Sequence, residues 1–139
     1  MFNEATWNFV DSHANEDIRE LALHVRPQKD VDIFAALNQI AGRQTARRKL
    51  PTWAATDGII YPSHLSMEQC SSEQTARYKA QLLARFVSIA KESHQDGKYI
   101  GRPQLIDLTG GFGVDFVFMS EILNREWPDK GDCRHVYVE

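Results

Sequence analysis

Residues 107 to 116 read DLTGGFGVDF: three glycines within four positions, with Asp107 before them and Asp115 after them. The apolar run QLIDL ahead of the glycines has the pattern of a buried parallel strand, and VDFVFMSEILN behind them that of a helix. A glycine turn between a strand's C-terminus and a helix's N-terminus does three things. It admits positive φ, removes Cβ atoms where a ligand must touch backbone, and aims unpaired helix N–H groups at that ligand. A second apolar run, HVYVE, ends in Glu139. Strand, glycine turn, helix and strand thus follow in the order of the opening βαβ unit of a doubly wound sheet. Ligands of such sheets bind beyond the carboxyl ends of the strands, which sets Asp107 and Glu139 at one crevice.

The spacing discriminates among nucleotide ligands. A G-x-G-x-x-G dinucleotide fingerprint started at Gly111 puts Phe116 where the third glycine should let the helix pack closely; started at Gly110, it puts Phe112 at the second. A nicotinamide or flavin dinucleotide is therefore disfavoured, and the G-K-[S/T] ending of a P-loop is absent. The arrangement instead resembles the S-adenosylmethionine (SAM) motif of class I methyltransferases. There an acid ends strand one, glycine-rich backbone follows, and an acid at the end of strand two grips the ribose hydroxyls. That resemblance makes Asp107, Thr109, Gly110, Gly111, Gly113, Asp115 and Glu139 the expected cofactor-binding residues. A carboxylate at Glu139 can accept hydrogen bonds from both ribose hydroxyls and would repel the 2′-phosphate of NADP. The bland counterpart is turn chemistry alone, with Asp107 a polar strand end and Glu139 a solvated one.

The elements that must position this motif begin with helices. NEDIRELALHV offers Asn15 as an N-cap ahead of Ile18, Leu21, Leu23 and Val25, and Asp30 is the expected cap of the next helix. In that helix Ile33, Phe34, Leu37, Ile40 and Ala41 recur at helical spacing. Arg43, Arg47, Arg48 and Lys49 cluster at its far end, either as a solvated terminus complementing the helix dipole or as a phosphate-contacting patch for RNA. Pro51, Pro62 and Asp57-Gly58 make the following stretch a connecting segment. Ser71 and Gln74 then form a capping box for a long amphipathic helix. Its apolar side carries Ala76, Ala80, Leu83, Val87 and Ala90, with Leu82, Phe86 and Ile89 beside them, and leaves Arg77, Lys79, Gln81, Arg85 and Lys91 to water.

Composition limits the alternatives. The 139 residues are 42% hydrophobic and 25% charged with a net charge of −3, so no strong global field draws the chain to nucleic acid or an anionic membrane. Cys70 and Cys133 lack a CxxC partner, and His13, His24, His64, His94 and His135 show no metal-ligand spacing. Ser63, Ser66, Ser71 and Ser72 lie outside any G-x-S-x-G elbow. The acidic N-terminus is not that of a signal peptide, and no apolar run approaches the roughly 18 to 20 residues of a membrane span. A cytoplasmic protein without a metal is expected.

Beyond the glycine motif, LPTWAATDGIIYPSHLSMEQCSSEQTARYKA followed by LIDLTGGFGVDF and VYVE resembles bacterial class I SAM-dependent methyltransferases that carry a THUMP-like domain. More remotely it is similar to RNA cap trimethylguanosine synthases. The resemblance implies that the serine-rich turn at Cys70–Ala76 helps to bind the methionine end of SAM, with Ser71 and Glu73 in the relatives' threonine and glutamate places and Ser72 where they have proline. The D-x-x-x-G-x-G version of the motif is common among enzymes that methylate exocyclic amines of nucleic-acid bases, which implies an RNA or DNA substrate, and the THUMP-like resemblance implies RNA. The [D/N]-P-P-aromatic motif that holds the target nitrogen in such enzymes is absent from these 139 residues. The expected architecture is α/β: a helical domain over residues 1–60, then the start of a Rossmann-like methyltransferase domain over 61–139. Such a chain is expected to be an N-terminal fragment, inactive alone and prone to self-association through an exposed sheet. The competing reading is a non-catalytic helical module that binds RNA or protein and carries a vestigial nucleotide fold.

Overall fold

A computed structural model of the chain describes residues 2–92, 104–108, 110–126 and 135–138. Helix predominates, with one two-stranded parallel sheet among the described residues. The chain divides into two compact units, Met1–Gln69 and Cys70–Glu139.

The first unit is built from α1 (Glu4–Ser12), α2 (Ile18–His24), α3 (Ile33–Lys49), α4 (Pro51–Ala54) and α5 (His64–Gln69). Each of the first three helices starts on a side-chain cap. Asn3 accepts from the Thr6 amide at 2.8 Å, Asp17 from the Arg19 and Glu20 amides at 2.8 and 3.1 Å, and Asp32 from the Ala35 amide at 3.0 Å. Asn15 and Asp30 are therefore not the caps. Asp30 instead occupies a left-handed turn at φ 64°, where its carbonyl accepts from Asn3 Nδ2 at 2.6 Å. Phe9, Val10, Leu21, Ala36 and Ile40 form the core, with Trp7, Ile18 and Leu37 packed around it. Leu23 and Phe34, although apolar and at helical spacing, lie on exposed faces of their helices.

Buried Gln39 ties the segment after α4 back to α3. Its Nε2 donates to the Tyr61 carbonyl at 2.8 Å and its Oε1 accepts from the Tyr61 amide at 2.9 Å, a pair that leaves neither backbone group unsatisfied. Gly42 lets this contact form, because a Cβ there would stand 2.4 Å from the Tyr61 Cβ. Lys49 then donates to the Met67 and Glu68 carbonyls at the end of α5, at 2.8 and 2.6 Å. These bonds lie within the first unit, which runs through to Gln69.

In the second unit, α6 (Glu73–Glu92) packs on α7 (Val114–Glu126), and β1 (Ile106–Asp107) pairs with β2 (Val136–Tyr137) in parallel. Small Ala76 and Ala80 are buried on α6, and Val114, Phe118 and Leu123 on α7, so the two helices approach closely. Glu73 and Arg77 pair one turn apart at 2.6 Å, and the Arg77 guanidinium lies 4.5 Å from the centroid of the Phe118 ring. Phe86 and Ile89 are exposed rather than packed with this face. The strands also differ from a buried pair: Ile106, Leu108, Val136 and Val138 are all exposed. Among the described residues no helix is long and apolar enough to cross a membrane, and no group of three or more His, Cys, Asp and Glu could hold a metal ion.

Candidate cofactor site

The glycine turn is a continuation of the sheet. Ile106 pairs with Val136 and Asp107 with Tyr137; Val136 N–H donates to the Leu105 carbonyl at 2.8 Å and Val138 N–H to the Asp107 carbonyl at 2.9 Å. The next bond in the ladder runs from the Gly110 amide to the Val138 carbonyl at 3.2 Å. The chain then reverses. Gly111 and Gly113 take φ of 54° and 74°, and the Gly113 amide closes the turn on the Gly110 carbonyl at 2.7 Å. A residue with a Cβ would be strained at either position. The Gly113 carbonyl accepts the Val117 amide at 3.0 Å and so begins α7. The three amides ahead of Val117 in the first turn of α7 have no helical acceptor.

Asp107 is half-buried at the end of β1, beside this turn. Its register partner Tyr137 closes the opposite side. The Tyr137 hydroxyl donates to the Gly111 carbonyl, and its ring stands edge-on to Phe116 at 5.5 Å. A Cβ on Gly110 would come within 2.0 Å of the same ring. Gly110 is thus required by Tyr137, whereas Gly111 and Gly113 are required by backbone conformation.

A second cluster joins α6 to α7. Asp115, in the first turn of α7, accepts through Oδ2 from Lys79 Nζ at 2.6 Å and from Ser71 Oγ at 2.9 Å; Lys79 Nζ also lies 2.9 Å from Ser71 Oγ. Asp115 Oδ1 is buried without a hydrogen-bond partner among the described residues. Ser71 is not the cap of α6. Ser72 Oγ accepts the Thr75 amide at 3.2 Å and bonds the Thr75 hydroxyl at 2.9 Å, so the cap lies one residue later than the Ser71–Gln74 box expected from sequence. Of the expected cofactor-binding residues, Asp107, Gly110, Gly111 and Gly113 surround one turn, and Ser71 and Asp115 meet in one cluster. Thr109 and Glu139 lie outside the described residues.

Two residues at this end of the unit were missed in the sequence reading. Tyr137 lies on β2 and is the register partner of Asp107. Lys79 was assigned to the solvent side of α6, although it is only partly exposed and ion-paired.

Three of the four residues of the basic cluster, Arg43, Arg47 and Lys49, bond within the first unit. Arg43 pairs with Asp11 at 2.6 Å and lies 5.3 Å from the centroid of the Trp7 ring, Arg47 donates to Asn15 Oδ1 at 2.7 Å, and Lys49 holds α5 as described. Burial pushes the Tyr61 phenol above its ordinary value, and the nearby Arg43 and Arg47 pull it the other way.

No protein-family model matches the chain, and no curated protein matches it. Among solved structures, it is similar to a chain from Porphyromonas gingivalis W83 whose crystal structure is described as that of a "putative methyltransferase". The identity is 22% and the TM-score 0.57 over 99% of the present chain, which spans 36% of the length of that chain. At this identity the likeness shows a shared fold.

Proposed function

We propose that residues 70–139 form the methionine side of the SAM site of a class I methyltransferase that acts on exocyclic amines of RNA bases. The observation that carries this reading is the half-buried Asp107 carboxylate at the end of a parallel strand, with positive-φ Gly111 and Gly113 four and six residues on, ahead of the N-terminus of α7. The amino-acid end of SAM presents an ammonium and a carboxylate. A strand-end carboxylate accepts from the first, and the unpaired amides at a helix N-terminus suit the second. The donor and acceptor set therefore fits the group.

Asp107 would hold the ammonium, the 111–113 turn would bring backbone close to the cofactor, and Glu139 would take the ribose. Ser71 supports the site through Asp115, to which it donates. SAM supplies an electrophilic methyl group already activated on a sulfonium; the protein's part is to bind and orient it beside a substrate lone pair and to exclude water. The fold shared with the Porphyromonas gingivalis chain agrees with this reading. Asp107, Gly111 and Gly113 resemble the D-x-x-x-G-x-G pattern of enzymes that methylate exocyclic amines of nucleic-acid bases, and that resemblance favours such an amine as acceptor.

Calorimetric titration tests the cofactor class. SAM is expected to bind, NAD is not, and Asp107→Ala is expected to weaken SAM by more than about tenfold through loss of a charge-assisted hydrogen bond. NAD binding as tight as that of SAM would overturn the reading.

A further inference from the structure

Tyr137 does more than fill space beside the glycine turn. Its three contacts converge on the turn from the β2 side: ring against Gly110, hydroxyl on the Gly111 carbonyl, and ring edge 3.4 Å from the position of a Cβ on Gly113. Across a trans peptide the carbonyl and the following amide point in opposite directions. The hydroxyl that fixes the Gly111 carbonyl therefore fixes the sense of the 111–112 peptide and turns the Phe112 amide away from β2. That bond opposes rotation of this peptide, which glycine at 111 does not itself resist, since it adopts positive and negative φ with similar ease. The Asp107–Tyr137 register sets the ring at the right height, since paired residues of parallel strands share a face.

We propose that Tyr137 is a positioning residue that locks the 110–113 turn in its ligand-ready shape, so that cofactor affinity depends on a hydroxyl bonded to backbone. This proposal rests on the SAM reading for its ligand but makes a separate statement about the turn. It also explains a constraint at Gly110: the smallest side chain leaves the Tyr137 ring its place, and Ala at 110 would displace it.

The test compares wild type, Tyr137→Phe and Gly110→Ala in two measurements, calorimetric titration with S-adenosylhomocysteine and amide hydrogen exchange across the turn. Tyr137→Phe keeps the ring and removes one hydrogen bond. Affinity is expected to fall about five- to tenfold, the size of one such bond, with the melting transition near that of wild type. The Gly113 amide, closed on the Gly110 carbonyl, is expected to exchange faster in Tyr137→Phe and faster still in Gly110→Ala. Wild-type affinity together with wild-type Gly113 exchange in Tyr137→Phe would overturn the proposal. If wild type itself binds no S-adenosylhomocysteine, the SAM reading falls. The exchange data then decide the positioning role alone: faster exchange upholds it and unchanged exchange ends it.

Discussion

Lys79 and Asp115 join α6 to the first turn of α7 through a 2.6 Å ion pair, although they lie 36 residues apart in sequence. The carboxylate also stands where the helix dipole favours a negative charge. The pair is only partly shielded, with the Lys79 side chain 41% and the Asp115 side chain 29% exposed, so its worth lies between that of a surface pair and a buried one. Lys79→Met is expected to cost about 1–2 kcal/mol in urea unfolding, because it strips the stronger donor from a carboxylate whose other oxygen has no partner among the described residues. A loss that disappears in high salt would instead mark an ordinary surface pair.

The serines at the start of α6 have separable roles. Ser72→Ala removes the N-cap and is expected to cost about 1 kcal/mol with a measurable loss of helicity. Ser71→Ala removes a bond to Asp115 that Lys79 still holds, and is expected to cost about half as much or less with helicity unchanged. Circular dichroism during thermal unfolding distinguishes the two, and the reverse ranking would return the cap to Ser71.

Much of this arrangement was legible in the sequence. Helices α3, α6 and α7 declare themselves by long apolar periodicity, and the strand–glycine–helix–strand order was visible because the period changes at residue 104. Caps were misplaced because Asx and Ser residues that could each cap lie within two positions of one another: Asn15 and Asp17, Asp30 and Asp32, Ser71 and Ser72. Composition cannot choose among neighbours that could all cap; geometry does. Helix α1 went unread, although Asn3 ahead of Thr6, Phe9 and Val10 has the pattern of a capped amphipathic helix. The Ser71–Lys79–Asp115 cluster and the Tyr137–Gly111 bond had no local signal, since each joins residues far apart in the chain.

Gln39 is the polar anchor of the first unit. Gln39→Leu conserves volume approximately but leaves both the amide and the carbonyl of Tyr61 without their bonds to it, in a buried setting. The expected loss is about 2–4 kcal/mol, from two buried hydrogen bonds that Leu cannot make. A change below about 0.5 kcal/mol by denaturant titration would mean that water replaces the side chain at little cost.

Asp17 makes α2 acid-sensitive. The Glu20 amide, then the Arg19 amide, hold its carboxyl below its ordinary value of 3.8. A folded-state pKa that is depressed contributes stability above the unfolded value, and that contribution is lost as pH falls through the folded one. Asp17→Ala is therefore expected to lower the melting temperature at pH 7, and the gap from wild type is expected to close as pH drops below 3.8. A gap that stays constant down to the acid limit would show that the carboxylate's charge plays no part in the cap.

The central claim is that the turn at 110–113, framed by Asp107 and α7, is where the cofactor binds. Backbone amide shifts in an NMR titration with S-adenosylhomocysteine test it most directly. Saturable shifts are expected, concentrated at Asp107, Gly110, Gly111, Gly113 and Asp115, with α1 to α3 unmoved. Shifts confined to Arg43, Arg47 and their neighbours, or none at millimolar ligand, would contradict it.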